Sequence, residues 1–443
     1  MPEIIFKRTI YKNMLDWKRQ NGASALLVKG ARRIGKTTIV KEFAKKEYKS
    51  FVLIDFSKED KNIKELFEDM SDLNYFFLRL SVLFGVSLHE RDSVIIFDEV
   101  QLFPKARQAI KHLVADGRFD YIETGSLLSI SRNVKDILIP SEEFAIEMQP
   151  MSFDEFRLAT SGENSNSLEM AYQSEKPLGD AINRKLMKEL RLYMLIGGMP
   201  QAVKSYIETN DLRIVDNVKR QILELYFNDL NKIDKRIPPL LKSIPAQLSL
   251  GSSRFRTRFV YKKSSNAKMD EALSDMEASM IVNLCYHVND PNIGMALTID
   301  PDKFRMYLLD TGLFVTLAFW DHDFTENIIY EKLLFDKLPV NLGYIYENLV
   351  AQMLRSSGKK LYYYIFKEKP DSSNFSEIDF IIPRKNKICP IEVKSSGYAR
   401  HASLDAFRRK YSSRIAESYL IYTKDFKKDD GVVYLPVYFT EYI

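Results

Sequence analysis

Between residues 20 and 150 the chain alternates short apolar runs with segments of helical period. Ala25-Leu26-Leu27-Val28, Phe51-Val52-Leu53-Ile54, Val94-Ile95-Ile96-Phe97 and Asp120-Tyr121-Ile122-Glu123-Thr124 each read as a buried strand. Residues 36–46 and 105–116 carry helical patterns between them. This alternation predicts an α/β fold with a mainly parallel sheet and crossover helices. In such sheets ligands bind beyond the carboxyl ends of the strands.

Further on the period changes. Residues 160–180 are polar and aperiodic, a surface loop within a mostly helical region. From 181 to 230 apolar residues recur at helical spacing, as in Leu186, Leu190 and Leu195, and this predicts a helical lid. Gly197-Gly198 interrupts it, and Pro200 is placed to start the next helix. A helical pattern at 268–279 and strand-like runs at 281–284 and 304–309 then give the helix and two strands that a winged helix needs. After the second run, Asp310-Thr311-Gly312 reads as a turn and helix cap. The last hundred residues read as a helix (342–357), strands at 361–366, 377–382 and 390–394, a helix at 404–410 and a strand at 419–422. The expected domains are 1–158, 159–230, 231–325 and 326–443.

Composition narrows the class. A chain of 443 residues suggests two to four domains and needs no metal or disulfide staple. Only two cysteines, Cys285 and Cys389, and five scattered histidines argue against a disulfide framework or a structural zinc site. No apolar run approaches the length of a membrane span, and the N-terminus lacks a signal-peptide stretch. The expectation is a cytoplasmic protein. A net charge of +5 permits a nucleic-acid partner without demanding one.

The chemistry begins directly after the first strand. Gly30-Ala31-Arg32-Arg33-Ile34-Gly35-Lys36-Thr37-Thr38 fits G-x-x-x-x-G-K-T, a loop whose backbone amides wrap a phosphate. The following helix turns its positive end toward the same anion. Lys36 is placed to reach β- and γ-phosphates, and the Thr37 hydroxyl suits Mg²⁺. Arg32 and Arg33 are candidates to touch phosphate or a neighbouring subunit, or are plain loop charges. At the end of the third apolar run, Asp98 can hold Mg²⁺ through its water shell, and Glu99 can polarise an attacking water. Thr124 and Ser126 end the fourth run, within reach of a γ-phosphate or the water, or as a simple turn.

GARRIGKTT, VIIFDEVQLFP, ETGSLL, the stretch Pro150-Met151-Ser152-Phe153-Asp154-Glu155-Phe156 and Gly197-Gly198-Met199-Pro200 together resemble a family of prokaryotic AAA-plus ATPases. That family usually ends in a domain of unknown function (the 4143 family). The resemblance extends over nearly the whole chain. It implies ATP binding and hydrolysis with Mg²⁺, with Lys36, Thr37, Asp98 and Glu99 at the matching positions. No particular arginine matches an arginine finger; Arg118 and Arg132 are candidates only, and the need for a second subunit stays open.

Two regions point beyond ATP. Residues 232–263 hold nine lysines and arginines against one acid, Asp234, with Phe255, Phe259 and Tyr261 interleaved. They read as a contact for double-stranded DNA or as a solvated basic face. In the last domain, Glu392 and Lys394 lie two apart on one strand and face the same side. With Asp379, and Glu347 on the preceding helix, they suggest a shared Mg²⁺ and a lysine that holds the attacking water. This resembles the restriction-endonuclease-like superfamily, although Glu377-Ile378 rather than proline precedes Asp379. An active nuclease and a degenerate nuclease fold are both compatible with that pattern. Three functions follow: an ATPase that drives a nuclease-like domain on DNA, an ATP-dependent regulatory switch with an inactive nuclease fold, and a signalling ATPase that engages another protein.

Overall fold

The computed structural model describes residues 4–58, 61–68, 70–125, 141–162, 166–262, 266–321, 334, 343–368, 375–395 and 401–443. The chain divides into two units. One comprises residues 1–149 with 278–280, the other residues 150–277 with 281–443.

The first unit is built on a sheet of five parallel strands: β1 (Ala25–Lys29), β2 (Ser50–Asp55), β3 (Ser93–Asp98), β4 (Asp120–Gly125) and β5 (Glu143–Glu147), in the order β2-β3-β4-β1-β5. The four apolar runs of the sequence are β1 to β4. β3 and β4 are buried at every position, as continuous apolar runs covered on both faces should be. β5 has no such run. Its sequence alternates, Phe144 is exposed, and it pairs only with β1 at the sheet edge. Helices Lys36–Glu47 and Pro104–Asp116 match the sequence expectation within a residue or two. On one face Phe56, Phe67, Phe97 and Phe103 pack edge-on and stacked, with centroids 5.3–6.0 Å apart. Such aromatic packing fixes β2 and β3 against the layer above them.

The second unit carries an eight-stranded mixed sheet. Its strands are β6 (Val282–Val288), β7 (Ile299–Leu308), β8 (Leu361–Lys367), β9 (Phe375–Arg384), β10 (Lys387–Val393), β11 (Ser418–Tyr422), β12 (Lys427–Asp429) and β13 (Val432–Pro436), in the order β12-β13-β11-β10-β9-β8-β6-β7. The helix Asn266–Ala278 and the β6–β7 pair stand where the sequence suggests a helix and two strands. The pair does not end as a free wing: β6 also lies parallel to β8, so one sheet runs through both regions that the sequence assigns to separate domains. The helices assigned to a lid, Asp180–Ile196, Pro200–Thr209 and Leu212–Ile233, belong to this second unit, and Pro200 does begin one of them.

Two glycine motifs meet within that unit. A Cβ on Gly198 would lie 2.1 Å from the Met151 carbonyl oxygen, so only glycine permits the approach. The Met151 amide donates to the Gly198 carbonyl at 2.7 Å, and the Gly198 amide donates to Asp310 at 2.6 Å. Asp310 also caps the helix Thr311–Ala318, accepting from the Leu313 amide at 2.9 Å. The turn-and-cap expectation for Asp310 is met, and the residue does more: it ties the Gly-Gly break to the cap.

Candidate functional site

The phosphate loop leaves β1 at the carboxyl edge of the parallel sheet. Arg33 (φ 66) and Gly35 (φ 94) take left-handed backbone, which curls the loop before the helix starts at Lys36. Gly30 is pinned: a Cβ there would lie 2.5 Å from the Met148 carbonyl oxygen. The Lys36 ammonium donates to the carbonyls of Gly30 and Ala31, each at 2.9 Å, and so bridges the mouth of the loop. Burial pushes its pKa down to about 8, opposed by Glu99 and then Asp98, and reinforced by Arg32. Arg32, Arg33 and Thr38 are exposed, while Ala31 and Ile34 are buried.

Strand order explains what faces the loop. β4 lies between β1 and β3, so its last residues stand between the loop and Asp98. The Thr37 hydroxyl donates to Asp98 at 2.8 Å. Thr124 donates to the same carboxylate, and the Glu99 amide donates to the Thr124 hydroxyl at 3.3 Å. Four residues from two strand ends and one helix are thereby joined. Glu99 sits in left-handed backbone (φ 55), which turns its side chain away from the strand path. Its carboxylate accepts from Gln101, a contact that nothing in the sequence pattern marks. Ser126 and Arg132 lie outside the described residues. Arg118 is engaged with Asp116 at 2.8 Å and with Asn74 at 2.7 Å.

In the second unit Glu347, Asp379, Glu392 and Lys394 do converge. The Val393 amide donates to Asp379 at 2.8 Å, and Lys394 pairs with Glu392 at 2.6 Å. The residue that sequence reasoning missed is Arg305 on β7. Its guanidinium contacts Glu377, lies 3.7 Å from Glu347 and 4.0 Å from Asp379, and sits over the Tyr363 ring. Burial pushes Glu347 up to about 7, with Asp379 adding to the shift and Arg305 opposing it. Asp379 is raised by burial too, against Arg305. Among the described residues no group of three or more His, Cys, Asp or Glu side chains is arranged to hold a metal ion. Arg305 could not be found from sequence, because β7 stands four positions along the sheet from β10, the E-x-K strand.

Residues 23–157 match the family model of an AAA domain. Residues 342–439 match a domain of unknown function, DUF4143, and residues 187–323 another, DUF8612. The chain thus carries an AAA-type nucleotide-binding ATPase domain and ends in a DUF4143 domain. No curated protein matches the sequence. Solved structures with partial likeness include PCH-2 of C. elegans (12% identity, TM-score 0.30, 49% of this chain and 70% of that one). The Thermotoga maritima RuvB Holliday junction branch migration motor shows 12% identity and a TM-score of 0.24 over 61% of this chain and 69% of its own. VC1899 from Vibrio cholerae shows 11% identity and a TM-score of 0.18 over 88% and 94%. Likeness this loose carries no function across. Among the described residues no helix is long and apolar enough to cross a membrane.

Proposed function

We propose that this protein binds ATP with Mg²⁺ in the loop 30–38, hydrolyses it, and couples the cycle to DNA through its second unit. The observation that carries the reading is the chain of hydrogen bonds from Thr37 through Asp98 to Thr124 at the carboxyl edge of the sheet. A hydroxyl and a carboxylate already in contact are the donor set that Mg²⁺ takes beside phosphates. Thr37 and Asp98 would hold it, and bound Mg²⁺ supplies positive charge to the phosphoryl oxygens. Lys36 exchanges the Gly30 and Ala31 carbonyls for the β- and γ-phosphates. Glu99, held by Gln101, accepts the proton of the attacking water. Thr124 fixes both acids by donating to Asp98 and accepting from the Glu99 amide. Arg32 and Arg33 are exposed, and either could touch phosphate or a second copy in a homo-oligomer. ATP turnover measured with and without double-stranded DNA tests the coupling: stimulation supports it, and an indifferent rate removes DNA from the cycle.

The second reading is a regulatory switch whose nuclease fold cuts nothing, and Arg305 is the observation that favours it. A guanidinium beside Glu347, Glu377 and Asp379 supplies the positive charge that a metal would bring. Mg²⁺-dependent cleavage of duplex DNA separates the readings. Cleavage lost in Asp379→Asn supports the nuclease; DNA-stimulated turnover without cleavage supports the switch.

A further inference from the structure

A cavity of about 730 Å³ lies in the second unit, lined by none of the residues of the two centres described above. One wall is the strap 254–262. Phe255 turns inward and is buried, while Arg254, Arg256 and Arg258 are exposed. The Phe255 amide donates to the Phe304 carbonyl at 2.7 Å, and the two rings stack with centroids 6.1 Å apart. The strap is therefore fastened to β7, and its arginines project from a fixed base. Among the described residues none of these three side chains forms an ion pair.

The helix that also lines the cavity carries the other sign. Asp270, Ser274 and Glu277 are spaced four and three apart, on one face of the helix Asn266–Ala278. Asp302, at the start of the exposed end of β7, adds a further carboxylate. The strands add an aromatic lining: Tyr286 on β6 lies across from Phe304 on β7, with ring centroids 6.0 Å apart. Glu277 accepts from the Tyr286 hydroxyl at 3.3 Å, which holds that carboxylate at the rim.

We infer that this groove takes an unpaired strand of nucleic acid, with phosphates on the arginine wall and the exocyclic amino groups of its bases on the carboxylate wall. A nucleotide has that same layout: an anion at one end, a flat π-face, and N–H donors at the far edge. An acidic peptide would meet Asp270, Glu277 and Asp302 unfavourably and would leave the rings unused. A duplex keeps its bases paired and stacked, so only unpaired bases can enter a concave site. Carboxylates accept from the amino group of cytosine, whereas thymine has none to give. The inference rests on the DNA reading above for the role of the arginines, and it adds the strand state and the base preference.

The test is fluorescence anisotropy with the full chain, free of nucleotide, and labelled oligonucleotides of about 12 residues. Single-stranded dC should bind about five- to tenfold tighter than single-stranded dT. Asp270→Asn with Glu277→Gln should abolish that preference and leave dT binding in place. Arg254→Ala, Arg256→Ala and Arg258→Ala together should weaken both oligomers and flatten the salt dependence. Equal binding of dC and dT, or competition by free dCMP as effective as by the oligomer, overturns the inference. A duplex of the same length separates the two claims. Duplex binding that the arginine substitutions weaken, with no single-strand binding, sinks this inference and leaves the DNA reading intact. Failure of every nucleic acid to bind sinks both.

Discussion

At the scale of single residues the nucleotide loop makes its own pH prediction. Burial holds Lys36 near a pKa of about 8, against the opposing charges of Glu99 and Asp98. The phosphates of ATP favour the charged ammonium, so the pKa in the complex lies higher. Between the two values binding takes up a proton. Affinity should therefore be flat below about pH 8 and fall above it by up to about tenfold per pH unit. Titration with a fluorescent ATP analogue reads this directly, and Lys36→Ala should bind about 2–3 kcal/mol more weakly with no such slope. A wild-type affinity that stays level to pH 10, at about two units above the expected break, would remove the ammonium from the phosphate contact. Glu99→Gln makes a separate claim. It should retain ATP and lose turnover by at least about a hundredfold, the usual worth of a positioned base. A normal rate would mean that another group takes the proton.

At the scale of elements, what the sequence showed and what it hid divide by physical cause. β1 to β4 were legible because each is a continuous apolar run, and the loop 30–38 because glycine spacing and a lysine follow one of them. β5 was not, because an edge strand with Phe144 exposed has no buried run to announce it. Gly197 and Gly198 read as a break in a helix, yet the partner that makes them necessary, Met151, is some fifty residues away in sequence, at positions only the folded chain brings together. Periodicity is local and cannot report such a contact. The contact predicts a cost. Gly198→Ala puts a methyl group 2.1 Å from the Met151 carbonyl oxygen, and backbone cannot yield as a side chain does. The loss should be about 2–3 kcal/mol in urea unfolding. Gly251→Ala is the control: its backbone is left-handed (φ +61) but open space surrounds it. It should cost only about 1–2 kcal/mol. Equal costs would show that the close approach at Gly198 relaxes freely.

At the scale of the whole molecule, the continuity of the second sheet changes how its carboxylate centre must be tested. Arg305 comes from β7, and Glu377 and Asp379 from β9, in the same sheet. A piece beginning near residue 326 would omit β6, β7 and the arginine, so the full chain is the proper object. In the wild type the guanidinium offsets the repulsion among Glu347, Glu377 and Asp379, and little is left for a metal to gain. Arg305→Ala removes that charge. The variant should lose about 3–5 kcal/mol, as when one partner of a buried pair is deleted. Mn²⁺ should then restore part of the loss, about 2.7 kcal/mol at a hundred times its dissociation constant. Thermal melts of the nucleotide-free protein, with and without Mn²⁺, give both quantities. Asp379→Asn added to Arg305→Ala should erase the restored part, which separates this centre from the Thr37 and Asp98 pair of the first unit. The opposite pattern is as informative: a wild-type melt that rises with Mn²⁺, loses the rise in Asp379→Asn and keeps the same rise in Arg305→Ala. It would mean that metal and arginine occupy different places, and the nuclease reading would then stand over the switch.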